Sequence, residues 1–446
     1  MSKANSANRS HRRTGRAIAV LIASLVVSSA AGCSAGAGSG GNTDTLLIDT
    51  SFVYKTLDPA RTFEPTGALA LHSLYSSLVT FDGADITTPV PNLAESFVAN
   101  ADNTEFTFVL REGAKFSDGT PVTSKDVLFS YDRITNLKSS ASALFTGLSF
   151  SAPDERHIIV TSKEPKPTLP VLLAMPSTGI LNSATAAANG ANSTTDAVVA
   201  DTAQTFLDSN SVGSGPYKLE RNDPGSEIVL VANDQYWGQK PDFTRVVIRN
   251  TDTQAQKLSM IRADAPELAL DLTGNLLDGL PDSLNVSMLQ DTIYYTYANA
   301  DPTVSTTTSN PAFAEAFKSA LDYPGIAALY GQGGGQLGGL VAPVLPGALP
   351  TEEGPREDIA KARDLVQKNG FGTSRVDFSY PAITYRGVDL GTIATKIQSD
   401  VARAGIDLQL TPLSMPAFLE KNRAGKAEMA MSPQSLTYPE PRVWSN

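Results

Sequence analysis

A single cysteine governs how this chain of 446 residues can be held together. Cys33 has no cysteine partner, so no internal disulfide forms and no thiol cluster can hold zinc or an iron–sulfur group. A chain of this length must therefore rely on buried cores. At about 150 residues per domain it has material for roughly three. Hydrophobic residues make up 41% and charged residues 18%, which excludes a disordered chain, a collagen-like rod and a coiled coil. The balance of 46 acidic against 35 basic residues gives a net charge of −11. Phosphate contacts need a basic face, so nucleic acid is excluded as a partner. Three histidines leave little for metal or acid–base chemistry.

The position of the cysteine is as informative as its solitude. Lys3, Arg9, Arg12, Arg13 and Arg16 form a basic start with no acid in it. Ala17 to Val27 is an uncharged, mostly apolar run of signal-peptide length, too short to span a bilayer comfortably. No other segment is apolar enough to enter a membrane, which excludes a polytopic protein. Ser28, Ser29, Ala30, Ala31 and Gly32 are small, and Cys33 follows directly. This arrangement resembles the lipobox of bacterial lipoproteins, in which the cysteine thiol receives a diacylglycerol, although Ala30 stands where leucine is usual. The alternative is an ordinary secreted protein with an incidental cysteine. Two acyl chains, at about 0.8 kcal/mol per buried CH₂, would hold the protein firmly on a membrane. Residues 1–32 are thus expected to be a signal peptide. Residues 33–44, rich in Gly, Ser and Asn, are expected to be a flexible tether.

Beyond the tether the chain alternates strand and helix signals. Thr45 to Asp49 reads as a buried first strand. In Thr104 to Arg111, Phe106, Phe108 and Leu110 share one face, with period two. Asp118-Gly119 marks a turn. Thr123 and Asp126 have capping-box spacing ahead of an apolar stripe at Val127, Tyr131 and Ile134. Further strands are predicted at 156–161, 227–232 and 245–249, and a helix at 186–203. In the last third, Asn310-Pro311 opens a helix. Helices closed by Gly370 and Gly405 then alternate with strands at 376–380, 406–410 and 427–431, the pattern of a layered α/β lobe. Tyr330 to Pro350 is a Gly- and Pro-rich connection. It lacks the Gly-Lys-Ser/Thr of a phosphate-binding loop.

Catalytic patterns are missing from the sequence. His72 reads as a structural or partly exposed position on a helix, and His157 as a surface strand position. There is no H-E-x-x-H and no G-x-S-x-G elbow, and Gly213-Ser214-Gly215-Pro216 does not form one. Nothing singles out a carboxylate pair. The expectation is a non-enzyme with no metal and no cofactor: an exported, anchored, acidic binding protein.

Five local patterns in order sharpen this reading. They are Leu57-Asp58-Pro59-Ala60, Pro91 to Ser96 (PNLAES), Phe106 to Ile134 (FTFVLREGAKFSDGTPVTSKDVLFSYDRI), Val212 to Tyr217 (VGSGPY) and Asn233 to Pro241 (NDQYWGQKP). Together they resemble the family 5 extracellular solute-binding proteins, the peptide and nickel receptors of ATP-driven bacterial importers. The likeness runs from about Leu46 to the C-terminus. The motifs themselves read as scaffold: a hairpin turn at Asp118-Gly119, a helix cap at Thr123, a tight approach at Gly213–Pro216 and a packing anchor at Trp237.

The resemblance implies an α/β, two-lobed periplasmic-binding-protein-like fold with an extra α+β domain inserted in the first lobe. Lobe I would comprise residues 45–65 and 206–289, the insert 66–205, and lobe II 290–446. Family members continue further, so lobe II is expected to be incomplete, with a truncated C-terminus. The implied function is that of a lipid-anchored receptor on the outer face of the bacterial cytoplasmic membrane. It would close its lobes about a hinge on a small peptide or another small solute, then deliver it to the membrane subunits of an ABC permease. Metal complexes and sugars are also ligands in this family. In peptide-binding members an aspartate just before a Tyr-x-Asp/Glu-Pro segment can pair with the ligand's α-amine. Here that segment is Leu436 to Pro441, Thr437 holds the aspartate position, and Glu440 is the acid available instead. Candidate ligand contacts are Tyr54, Arg61 and Phe63 on the first rim. On second-lobe loops they are Tyr385, Arg386, Thr437, Tyr438, Glu440 and Trp444. Two alternatives stay open: a surface hydrolase on a similar body, and a truncated, non-transporting interaction or sensing lipoprotein.

Overall fold

The computed structural model describes residues 44–288, 290, 292–385 and 387–435. Cys33, the signal segment and nearly all of the tether lie outside them. Strand β1 (Thr45–Thr50) opens the fold. Pro65 at the first helical position starts α1 (Pro65–Leu74). The chain then forms the hairpin β2 (Val79–Asp82) and β3 (Asp85–Pro91), followed by β4 (Ala94–Ala99) and β5 (Glu105–Leu110).

Helix α2 (Ser124–Leu137) begins with the expected capping box. Asp126 accepts from the Thr123 amide at 2.9 Å, and the Thr123 hydroxyl is paired in return. Strands β6 (Leu148–Ser151) and β7 (His157–Ser162) complete an antiparallel sheet ordered β4-β5-β7-β6. The period-two face of β5 is buried as its sequence demands: Phe108 is fully enclosed and stacks on Phe97 at 5.6 Å. Val127, Tyr131 and Ile134 of α2 press into the same core. Burial of each such side chain contributes about 1.5–3 kcal/mol.

Short helices follow: α3 (Leu169–Leu173), α4 (Ser183–Ala188), α5 (Ala197–Ala200) and α6 (Gln204–Leu207). The helix predicted over 186–203 is therefore broken in two. Gly190 takes φ +92°, and Asn192 and Thr194 turn the chain with side-chain hydrogen bonds, which compete with a continuing helix. The chain then returns to pair with its own beginning. Strands β8 (Tyr217–Asp223), β9 (Glu227–Ala232) and β10 (Arg245–Asn250), helix α7 (Thr253–Arg262) and strand β11 (Glu267–Ala269) build a five-stranded sheet ordered β11-β1-β10-β9-β8. In it β1 runs parallel to both neighbours. Leu71 and Leu74 of α1, with Leu181 and Leu207, share the core of this sheet with Ile48, Ile228 and Ile248.

A third core forms around β12 (Thr292–Ala298), α8 (Pro311–Ala320), α9 (Tyr323–Ala328), α10 (Ile359–Asn369), β13 (Arg375–Pro381), the two-residue strands β14 (Thr384–Tyr385) and β15 (Val388–Asp389), α11 (Leu390–Ala402), β16 (Asp407–Leu413), α12 (Met415–Arg423) and β17 (Met429–Ser435). Its sheet order is β12-β17-β13-β16, with β13 parallel to β16 and β17 antiparallel to β12. Helix α8 starts where Asn310 accepts from the Ala312 amide, and α10 ends at Gly370 with φ +70°. Phe313, Phe317 and Phe378 fill the space between helices and sheet.

Candidate functional site

The segment after β1 is held almost entirely by side chains. Asp271 accepts from the Ser51 amide at 2.6 Å, Asn250 from the Phe52 amide at 3.0 Å, and Thr66 from the Val53 amide at 2.9 Å. The backbone is thereby fixed while the Val53 side chain projects, 55% exposed. Phe63 is also exposed and follows the buried Leu57–Asp58 motif in the chain. Tyr54 turns inward: its hydroxyl donates to Asn222 at 2.6 Å and its ring meets Phe52 edge-on. Burial, then the charges of Asp208 and Asp223, push its phenol up to about 12, so it is a neutral donor at any physiological pH.

Arg61 is committed elsewhere. It lies 3.2 Å from Asp58 and 3.0 Å from Asp201. Both carboxylates are also gripped by Arg133, which is fully buried on α2. Its two terminal nitrogens donate to the two Asp58 oxygens at 2.6 Å each, and Nε donates to Asp201 at 2.7 Å. Two arginines and two aspartates balance in charge, a condition for enclosing them at all. This quartet ties the first sequence motif to the end of the third.

On the other side, β12, β14 and β17 bring a tyrosine cluster together. The Tyr294 hydroxyl donates to the Tyr385 carbonyl at 3.1 Å, and the Tyr294 ring lies 4.6 Å from Tyr330 and 6.4 Å from Tyr385. The hydroxyls of Tyr385 and Ser435 share a hydrogen bond of 2.5 Å, and Thr292 and Ser435 share another of 2.9 Å. Burial, then the neighbouring Tyr294, raises the Tyr330 phenol well above its ordinary range. Of the residues singled out in the sequence here, Tyr385 is in this cluster. Arg386, Thr437, Tyr438, Glu440 and Trp444 lie outside the described residues. Sequence reading missed Tyr294, Tyr330, Ser435 and Asp271. Only the tyrosine density of TIYYTYA (292–298) hinted at the first.

Between the two regions runs the connection from β11 to β12. Asp271 belongs to it, and two and three residues later Thr273 and Gly274 lie against Gly387, Tyr330 and Gly331. The first side exposes Val53 and Phe63, and the second presents half-buried tyrosine rings and hydroxyls. Among the described residues no group of three His, Cys, Asp or Glu side chains could hold a metal. His157 pairs with Asp154 at the exposed start of β7, and His72 is exposed on α1. Trp237 packs partly buried against the core beneath β5, with the Arg111 guanidinium 5.3 Å from its ring centre. Such a surface can hold a solute by stacking and hydrogen bonds. Among the described residues no helix is long and apolar enough to cross a membrane.

Residues 88–445 match the family model described as bacterial extracellular solute-binding proteins, family 5, middle. A probable D,D-dipeptide-binding periplasmic protein of Escherichia coli is 28% identical over 413 residues, covering 90% of this chain and 77% of the relative. Among solved structures, the substrate-binding protein of an ABC transporter from Listeria monocytogenes superposes with a TM-score of 0.73 at 19% identity, covering 87% of this chain and 78% of that one. An ABC transporter-associated periplasmic binding protein from Helicobacter pylori, solved with a bound peptide, gives a TM-score of 0.64 at 20% identity, covering 90% and 80%.

Proposed function

This chain belongs to the family 5 bacterial extracellular solute-binding proteins, and on that premise we propose that it is the peptide-capturing receptor of an ABC importer. The observation that carries the proposal is the likeness over 413 residues to a relative described as a probable D,D-dipeptide-binding periplasmic protein. In this reading lobe I is built on the five-stranded sheet (residues 45–65 and 206–289), lobe II on the four-stranded sheet (290–446), and residues 66–205 are the insert. The solute lies against Val53 and Phe63 on one side and the Tyr294–Tyr330–Tyr385 cluster on the other. Arg386, Thr437, Tyr438, Glu440 and Trp444, which lie outside the described residues, are the further contacts expected from the sequence. Arg61 steadies the first rim through Asp58 and Asp201 rather than meeting the solute. Contacts to both lobes exist only in the closed form, so ligand shifts the population toward it. The closed receptor then delivers its solute to the membrane permease. Cys33 carries the lipid that keeps the protein at the outer face of the cytoplasmic membrane.

The test is a thermal melt of the purified protein with and without a pool of di- and tripeptides. A ligand at 100 times its dissociation constant adds about 2.7 kcal/mol to stability. A single cooperative transition that rises with peptide is the expected result. A cooperative transition indifferent to every peptide overturns the choice of solute. The lipid at Cys33 is checked separately, by the mass of the protein recovered from membranes, with Cys33→Ala released from them.

A further inference from the structure

We propose that Met288 is a site of oxidative modification: a hydroperoxide converts its thioether to the sulfoxide from one face only, and the oxidised side chain loosens the turn that carries Tyr330. The site stands apart from the choice of solute, and only its effect on binding rests on the receptor reading above.

The chain has seven methionines. Met1 lies outside the described residues. Met260, Met429 and Met431 are buried, and Met175 and Met415 are half-buried. Met288 is 54% exposed, and among the described residues it is the one methionine that stands largely in water. A peroxide must reach sulfur to react, so Met288 is the first to be oxidised.

Its sulfur also rests on backbone. Gly333 has φ +86°, and a Cβ there would lie 2.8 Å from Met288 Sδ but 3.9 and 4.0 Å from Cγ and Cε. That direction meets sulfur away from both of its carbons, on the side of one lone pair. In glycine it holds only a hydrogen, which lets the sulfur seat there. Gln290, two residues on, donates to the Gly333 carbonyl at 2.9 Å. Met288 and Gln290 thus hold Gly333 together, one by an apolar contact and one by a hydrogen bond. The held turn runs straight back to the tyrosine cluster. The Gly334 amide donates to the Gly331 carbonyl at 3.1 Å, and a Cβ on Gly334 would collide with the Cβ of Tyr330. The Tyr330 ring lies 4.6 Å from Tyr294.

The oxidation balances without any further reagent. The peroxide O–O bond breaks and one of its oxygens bonds to Sδ. The other oxygen keeps its substituent, takes the proton released and leaves as water or an alcohol. Sulfur loses two electrons and the peroxide gains them. Gly333 covers one sulfur lone pair, so oxygen adds to the other and a single sulfoxide epimer forms. The product is polar where the thioether was apolar. It favours water over the seat on Gly333, and Gln290 alone is left to hold the turn.

The experiment treats the purified protein with hydrogen peroxide, follows each methionine by peptide mass and follows the Gly334 amide by hydrogen exchange. We expect Met288 to react about tenfold faster than Met429 and Met431, or more. One of the two epimer-specific sulfoxide reductases should restore it, and the other should leave it oxidised. Exchange at Gly334 should rise about threefold on oxidation as the apolar seat is lost. Met288→Leu, which stays apolar but has no sulfur, should show no rise under the same treatment. Peptide affinity should fall with oxidation and return with the reductase. Reaction at Met288 no faster than at Met429 overturns the site. A product that needs both reductases to clear overturns the covered lone pair. Unchanged Gly334 exchange after oxidation, or an equal rise in Met288→Leu, overturns the hold on the turn. Unchanged peptide affinity in the oxidised protein overturns the link from turn to solute. A protein that binds no peptide at all leaves the mass and exchange results standing and removes only the effect on affinity.

Discussion

At the scale of single residues, the enclosed quartet of Asp58, Arg61, Arg133 and Asp201 is the most consequential polar feature. Arg133→Met keeps chain length and removes the charge, leaving two buried carboxylates with too little compensation. The expected loss is about 3–5 kcal/mol of unfolding free energy, read by urea denaturation. Its pH dependence has a definite sign. Burial pushes the Asp201 carboxyl up, but the hydrogen bonds and charge of Arg133 outweigh it and hold the group below the usual carboxylate range. A depressed native value contributes stability above the unfolded-chain pKa of about 3.9, and that stability is lost as pH falls through the native value. The parent should therefore weaken in acid. The gap between parent and Arg133→Met should narrow as pH drops below about 4; a gap that widened there would contradict the assignment. None of this pairing was legible in the sequence, because Asp58 and Arg133 are 75 residues apart. Only their membership of two recurrent motifs marked them.

At the scale of elements, local chemistry was readable where it was self-contained. The Thr123–Asp126 cap, the Asn310 cap, the Gly370 stop and the alternating face of β5 all depend on residues within a few positions of each other. Thr123→Ala should cost about 1 kcal/mol, since one cap bond is lost and Asp126 keeps its bonds to Ser183. A loss above 3 kcal/mol would mean that the cap does more than start α2. Gly213 and Gly215 show the other kind of element constraint. A Cβ at either would run into the carbonyl oxygens of Leu74 and Ser73, where α1 ends against the approach to β8. Gly213→Ala should destabilise by about 1–3 kcal/mol through overpacking, measured in the same urea titration. The approach was predictable from the motif, but its partner strand of backbone was not. The single helix expected over 186–203 failed for a local reason that composition hides: Asn, Thr and Gly there satisfy their own backbone and stop propagation.

At the scale of the whole molecule, the family and the layered α/β architecture were legible from five motifs in order. The candidate site was legible only in part. Phe63 and Tyr385 were singled out from the loops they occupy, whereas Tyr54, singled out with them, turns inward to Asn222. Tyr294 and Ser435 reach Tyr385 through hydrogen bonds across 91 and 50 residues of chain, and Tyr330, from the turn after α9, joins them through the Tyr294 ring. The same long-range pairing places Asp271 beside Ser51. Tyr385→Phe should leave the fold intact, at a cost of about 0.5–1.5 kcal/mol for the lost bond to Ser435, yet weaken solute binding if the cluster lines the cleft. Equal affinity in parent and variant would move the solute away from Tyr385. The central claim is that two lobes close on a peptide-like solute. It is tested most directly by small-angle scattering of the protein with and without a saturating di- or tripeptide that raises its melting temperature. The account predicts a smaller radius of gyration in the bound state. A peptide that binds and stabilises while the radius stays unchanged would contradict it.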